Sequence, residues 1–157
     1  MSQRTMLHDT FTLEREYPVT PAAVFRAFAD AELKRRWFGG DEGWTTISHG
    51  MDFRVGGAEH DEGRWDGPDG DSHVSRFDAV YHEIVESQRI VFTCDMRVDG
   101  THLSVSVTSI ELTPTVGGTL LTFTEQGVYF DGHEDPALRA AGTRDLLESL
   151  GRALTTA

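Results

Sequence analysis

The chain has 157 residues, of which 38% are hydrophobic and 10% aromatic. That is the composition of one globular domain, able to bury roughly 70% of its unfolded surface without a metal or disulfide staple. Its 26 acidic residues outnumber 14 Lys and Arg, and the net charge of -12 would repel both a phosphate backbone and an anionic bilayer, which excludes nucleic acid and membrane as expected partners.

Residues 1–10 carry no apolar stretch of signal-peptide length and read as a flexible N-terminal segment, with a single domain over 11–157. Phe11 to Tyr17 alternates apolar and polar residues and predicts a strand ended by Pro18. Thr20 then offers a hydroxyl to the free amides of a helix whose first residue is Pro21. Asp30 can cap a second segment, AELKRRWF, which closes on Trp37 and Phe38, and Gly39 with Gly40 stops it, since glycine enters left-handed backbone without penalty.

From about residue 44 the period changes from 3.6 to 2. Strands are predicted at Thr45–Ser48, Asp52–Val55, His73–Glu83, Arg89–Met96, Leu103–Leu112 and Thr119–Gln126, and their short links make them antiparallel. The segment EHDEGRWDGPDGD, residues 59–71, is acidic and glycine-rich and predicts a mobile loop. Cys94, the lone cysteine, falls in the apolar run IVFTCDM and can form no intrachain disulfide, which points to a reducing compartment, the cytoplasm. After Gln126 a linker, GVYFDGH, leads to Asp135 as cap and Pro136 as first residue of a long final helix. Thr143, Leu147, Leu150 and Leu154 share one stripe of it, with Leu146 alongside. No run anywhere approaches the roughly 20 apolar residues of a membrane span.

The order is therefore a strand, two short helices, six strands and a long helix, an α+β arrangement in which a curved antiparallel sheet of about seven strands wraps the last helix. A bent sheet and a straight rod touch at one end and part at the other, leaving a cavity. Gly142, mid-helix, costs roughly 1 kcal/mol against alanine, so either a neighbouring backbone comes close there or space is being kept.

The runs REYPVTPAAVFRAF, LKRRWF, DFRVGG, YHEIVESQRIVFT, SVTSIELTPTVGGTLLTFTEQG and GTRDLLESL, in that order from about residue 11 to 154, resemble the START-like (Bet v 1-like, SRPBCC) proteins. Within them the chain is similar to the branch named for the C-terminal domain of the activator of Hsp90 ATPase. The resemblance implies a helix-grip fold with an apolar cavity between sheet and long helix; the superfamily spans lipid carriers, hormone receptors and polyketide cyclases, so it does not by itself fix a chemistry. Two positions depart from the branch: Trp37-Phe38 stands where Trp-Trp is common, and Gly142-Thr143 where Gly-Trp is common, which would leave extra volume along the helix.

The expected ligand-binding set is Trp37, Phe38, Trp44, Phe53, Trp65, Phe92, Tyr129 and Phe130, with Gly142 and Thr143 on the helix; Trp65, in the acidic loop, is the candidate lid. Ordinary packing is the competing reading of each ring, and the preferred one for Phe53 and Phe92. Catalysis of the cyclase type would need a proton acceptor in the cavity, and His82, Glu83, Asp78 and His133 are the candidates, although His82 and Glu83 are strand neighbours of which only one can face inward. No histidine or cysteine pair has metal-ligand spacing, the acidic loop fails the calcium-loop pattern at Pro68, Gly70 and Phe77, and there is no nucleophile elbow, P-loop or dinucleotide fingerprint, so neither metal nor cofactor is expected. The leading expectation is a non-enzymatic binder of a small apolar or aromatic molecule. A polyketide cyclase-like enzyme and a protein-interaction or chaperone-associated module are the alternatives, and a homodimer is compatible with the pattern without being required by it.

Overall fold

The computed structural model describes residues 3–39 and 43–156; Gly40, expected to help stop the second helix, lies outside them. Seven strands form one antiparallel sheet: β1 (Met6–Tyr17), β2 (Thr45–Met51), β3 (Ala58–Asp66), β4 (Ser72–Val85), β5 (Arg89–Val98), β6 (Thr101–Thr115) and β7 (Gly118–Phe130). Their order across the sheet is β1-β7-β6-β5-β4-β3-β2, so every consecutive pair from β2 to β7 is a hairpin and β1 closes on β7. The helices are α1 (Pro21–Ala29), α2 (Ala31–Arg35) and α3 (Pro136–Thr155). This is the helix-grip architecture expected from periodicity.

The caps are the expected ones. Thr20 accepts from Ala23 N, Asp30 from Glu32 N and Leu33 N, and Asp135 from Ala137 N, each satisfying amides that a helix start leaves free. Gly39 follows α2 with φ +114, backbone that an L side chain rarely adopts.

Three boundaries differ from expectation. Residues 6–10 are not a flexible segment: Met6 to Thr10 pair with Phe130 to Gln126, extending both β1 and β7 through the expected linker. Asp52–Val55 is the turn region between β2 and β3, not a strand. Conversely, residues 59–66 of the expected acidic loop belong to strand β3, laddered to β2 on one side and β4 on the other. The missed signal in β3 is physical. Its inward positions alternate faithfully, but Glu59, Asp61 and Gly63 occupy them, so the period of 2 is present in burial and absent in hydrophobicity.

The core lies between the concave face of the sheet and the helices, with Val24, Ile90, Ile110, Leu121, Leu147 and Leu150 each at most 2% exposed. The second half of α3 is docked tightly: Tyr17 donates its hydroxyl to Leu147 O at 2.8 Å, and a Cβ on Gly151 would lie 3.2 Å from the Tyr17 ring. In its first half Ala140 and Thr143 are buried and Arg139 reaches the sheet, bonding Glu125 and Ser104.

Candidate functional site

Where α3 parts from the sheet, a cavity of about 420 Å³ remains. Its walls are Phe28 of α1, Trp37, Phe38 and Gly39 after α2, Ser75 and Phe77 of β4, Phe92, Cys94 and Met96 of β5, Thr108 and Ile110 of β6, and Phe123 of β7. The helix side is Leu138, Gly142, Thr143, Leu146 and Leu147. A Cβ on Gly142 would meet nothing within 4 Å. Of the two readings of that mid-helix glycine, the structure selects space over close approach.

The aromatic wall is built by local packing. Trp37 donates its indole N–H to Ala27 O at 3.0 Å and meets Phe28 edge-on at 4.9 Å between ring centroids. Phe38 contacts both Trp37 and Phe77 edge-on, at 5.7 and 5.2 Å, the arrangement that opposes ring edges to ring faces. Trp44 lies flat on β3: a Cβ on Gly63 would fall 2.1 Å from its Cζ2. Only glycine at 63 admits the indole there.

Polar groups enter this wall at two places. At the α3 end, Arg139 donates to Glu125 and Glu134 at 2.6 Å each and to Ser104 Oγ at 2.7 Å. Burial pushes the Glu125 carboxyl upward and the guanidinium beside it pulls it back; the Arg139 guanidinium is held above its usual range because two carboxylates outweigh its own burial. At the α2 end, Lys34 Nζ, 3% exposed as a residue, donates to Glu59 Oε1 at 2.7 Å, and the same oxygen accepts the Tyr81 hydroxyl. Asp61, two residues along β3, faces the cavity at 6% exposure. Burial raises its pKa, His49 across the β2–β3 ladder and Lys34 lower it, and Glu59 raises it further. Burial also pushes the Cys94 thiol up to about 12, so it stands in the wall as a neutral thiol that donates to or accepts from Ser106 Oγ.

Of the expected ligand-binding residues, the fold brings Trp37, Phe38, Trp44, Phe92, Gly142 and Thr143 together around the cavity. Phe53 is instead a core ring, edge-on to Phe25 and Tyr81. Trp65 is not a lid: it sits in β3, donates its indole N–H to Ser75 Oγ at 2.8 Å and packs beside His73. Tyr129 is buried under Arg139, 5.2 Å from its guanidinium, and Phe130 points to the other face, beside His102. All four catalytic candidates lie away from the cavity. A bulge between Tyr81 and Glu83 exposes both His82 and Glu83, the first bonded to Thr93 and the second paired with Arg89. Asp78 pairs with Arg76, and His133 is exposed in the turn before α3. The buried charged groups of the cavity wall, Asp61, Glu125, Lys34 and Arg139, carry no hydropathy signal in the sequence. No group of metal-ligating side chains occurs among the described residues.

A curved seven-stranded sheet gripping a C-terminal helix over an aromatic-walled cavity defines the START-like class. More narrowly, the family model described as Activator of Hsp90 ATPase homolog 1-like protein matches residues 18–155, and the chain belongs to that family. A Rhizobium leguminosarum protein of uncharacterized function is 35% identical, with 98% of each chain covered and a TM-score of 0.88. Protein Mll3558 from Rhizobium loti is 44% identical over 95% of this chain and 99% of its own, with a TM-score of 0.82. The AHSA1-like protein from Aeromonas hydrophila shares the fold at 22% identity, with 93% and 92% covered and a TM-score of 0.71. Among curated proteins none matches.

Proposed function

We propose that this protein is a non-enzymatic binder of a small apolar or aromatic molecule, held between the sheet and the first half of α3, in a reducing compartment such as the cytoplasm. One observation carries the reading: a cavity of about 420 Å³ walled by Phe28, Trp37, Phe38, Phe77, Phe92 and Phe123, with open space over Gly142. Apolar area leaving water contributes about 25 cal/mol per Å², enough for micromolar affinity without a charged anchor. Proteins of this superfamily often bind hydrophobic ligands, which supports the same reading.

The two alternatives find less support. The cyclase candidates His82, Glu83, Asp78 and His133 face solvent or the convex surface, out of reach of a substrate in the cavity. On the convex face Val80, Val105 and Val107 are exposed, but Thr93 and Asp95 of β5 stand between β4 and β6 and break any apolar patch.

The test uses a neutral fluorophore, N-phenyl-1-naphthylamine, whose emission rises on entering an apolar site. The native chain is expected to bind it with micromolar Kd. Gly142→Leu should stabilise the protein by about 1 kcal/mol, because leucine outranks glycine in a helix, and at the same time weaken the probe by tenfold or more by filling its space. Unchanged probe affinity in a folded Gly142→Leu variant would place the ligand elsewhere.

A further inference from the structure

The cavity's two polar entries are not equivalent. At the α3 end Arg139 meets both carboxylates and Ser104. At the α2 end, Lys34 is committed to Glu59, and Asp61 Oδ1 and Trp44 Nε1 are buried with no hydrogen-bond partner among the described residues. Leaving a buried donor or acceptor unpaired costs free energy that a fold ordinarily avoids.

The two groups are neighbours. A Cβ on Gly39 would stand 3.5 Å from Trp44 Nε1 and 3.7 Å from Asp61 Oδ2, the other oxygen of the same carboxyl, so a side chain at 39 would crowd both groups. Gly39, Trp44 and Asp61 all line the cavity. They come from three different segments, which meet here at the aromatic end beside Phe38 and Phe77.

Their chemistry narrows what could satisfy them. Trp44 can only donate, and an ionised Asp61 can only accept. A carboxylate or phosphate would answer Trp44 but face Asp61 and Glu59. An ammonium would answer Asp61 and leave the indole N–H unpaired. A ketone or ether could not donate to Asp61. One oxygen that accepts from the indole and donates to the carboxyl answers both, and that is a hydroxyl.

Building on the binder reading above, we propose that the ligand is a cyclic or aromatic alcohol or phenol, its hydroxyl seated between Trp44 Nε1 and Asp61 and its apolar body along Phe38, Phe77 and Phe92. Selectivity then comes from one neutral polar group at the end of an otherwise apolar contact. The pairing rejects anions by charge and plain hydrocarbons by leaving two buried groups unpaired.

Calorimetric titration with four probes of one ring system tests this: naphthalene, 2-naphthol, 2-naphthoate and 2-naphthylmethylammonium. In a site without partners, 2-naphthol binds more weakly than naphthalene because its hydroxyl loses water. The native chain is expected to bind 2-naphthol at least about tenfold more tightly than naphthalene, with 2-naphthoate weakest. Asp61→Leu and Trp44→Phe should each erase that preference, read as the ratio of 2-naphthol to naphthalene affinity within each variant. Naphthalene binding without a preference for 2-naphthol overturns the hydroxyl assignment and leaves the binder reading standing. Tighter binding of the ammonium than of 2-naphthol also overturns it, in favour of a cationic ligand. Failure of all four to bind, with the fold intact by circular dichroism, removes the binder reading itself.

Discussion

The two ends of the cavity carry the same kinds of side chain and use them oppositely. At the α3 end, a buried arginine is saturated by two carboxylates and a serine, with only the Tyr129 hydroxyl beneath it unpaired; at the α2 end, Asp61 Oδ1 and Trp44 Nε1 are buried with no hydrogen-bond partner among the described residues. The first arrangement is a clamp. It ties the first half of α3, where Ala140 and Thr143 are also buried, to β6 and β7 beside the cavity. The second arrangement leaves two buried polar atoms without a partner among the described residues, at a cost in stability.

Breaking the clamp should have the largest effect. Arg139→Met leaves Glu125 buried without its cation, and unpairing a buried ion costs about 3–5 kcal/mol. Thermal or urea unfolding measures it. Adding Glu125→Leu should recover much of the loss, because an apolar pair of similar volume needs no compensation. If Arg139→Met cost under about 1 kcal/mol, the interaction would be a surface-like pair and α3 would be held some other way.

At the α2 end the same kind of experiment should give the opposite sign. A carboxyl whose folded pKa is raised above its unfolded value contributes stability below the unfolded value, about 3.9, and loses it as pH rises through the folded one. Asp61 is in that position, burial being the main cause and Glu59 adding to it against His49 and Lys34. Asp61→Asn should therefore unfold at the same or higher temperature than the native chain, with the advantage growing as pH is raised from about 4 toward neutrality. A loss comparable to that of Arg139→Met would mean that Asp61 is paired in solution, and the contrast between the two ends would collapse.

Legibility in the sequence followed the same division. The helix starts at Thr20, Asp30 and Asp135 were readable because capping is local and needs particular side chains beside free amides. The aromatic wall at Trp37, Phe38 and Phe92 and the space at Gly142 were readable once a curved sheet and a straight helix were placed together. Strand β3 was not, because Glu59, Asp61 and Gly63 hold inward positions that periodicity assigns to apolar residues. Those residues look like a loop because their partners are Lys34, Tyr81 and the Trp44 ring, which call for carboxyls facing in and a glycine where the indole lies. Trp65 failed in the converse way. Its loop-like surroundings suggested a mobile ring, whereas Ser75, its partner across the ladder's diagonal, fixes its N–H.

The smallest effect belongs to a third cluster, whose carboxylates stand in water and which serves as a control on both ends. His73 meets Asp99 Oδ2 at 2.7 Å and Asp69 Oδ2 at 3.2 Å where the β3–β4 and β5–β6 turns come together. Hydrogen bonding to Asp99 first, and to Asp69 second, raises the imidazole pKa, while both carboxyls are lowered. The signs oppose one another across the pH range. The imidazole contributes stability below its unfolded value of about 6.5 and loses it as pH rises through its folded value, whereas the carboxylates contribute above about 3.9 and lose it as pH falls. The cluster should thus favour the fold most in the window between, about pH 4 to 6.5. Imidazole proton shifts should give a His73 midpoint above 6.5 that drops in Asp99→Asn more than in Asp69→Asn. Exposed pairs of this type are screened by salt, so 1 M salt should move that midpoint toward the free value. The same salt should leave the unfolding deficit of Arg139→Met nearly unchanged, since ions do not reach a buried clamp. A deficit that fell with salt as steeply as the His73 midpoint would put Arg139 among the surface pairs and leave the cavity without its strut.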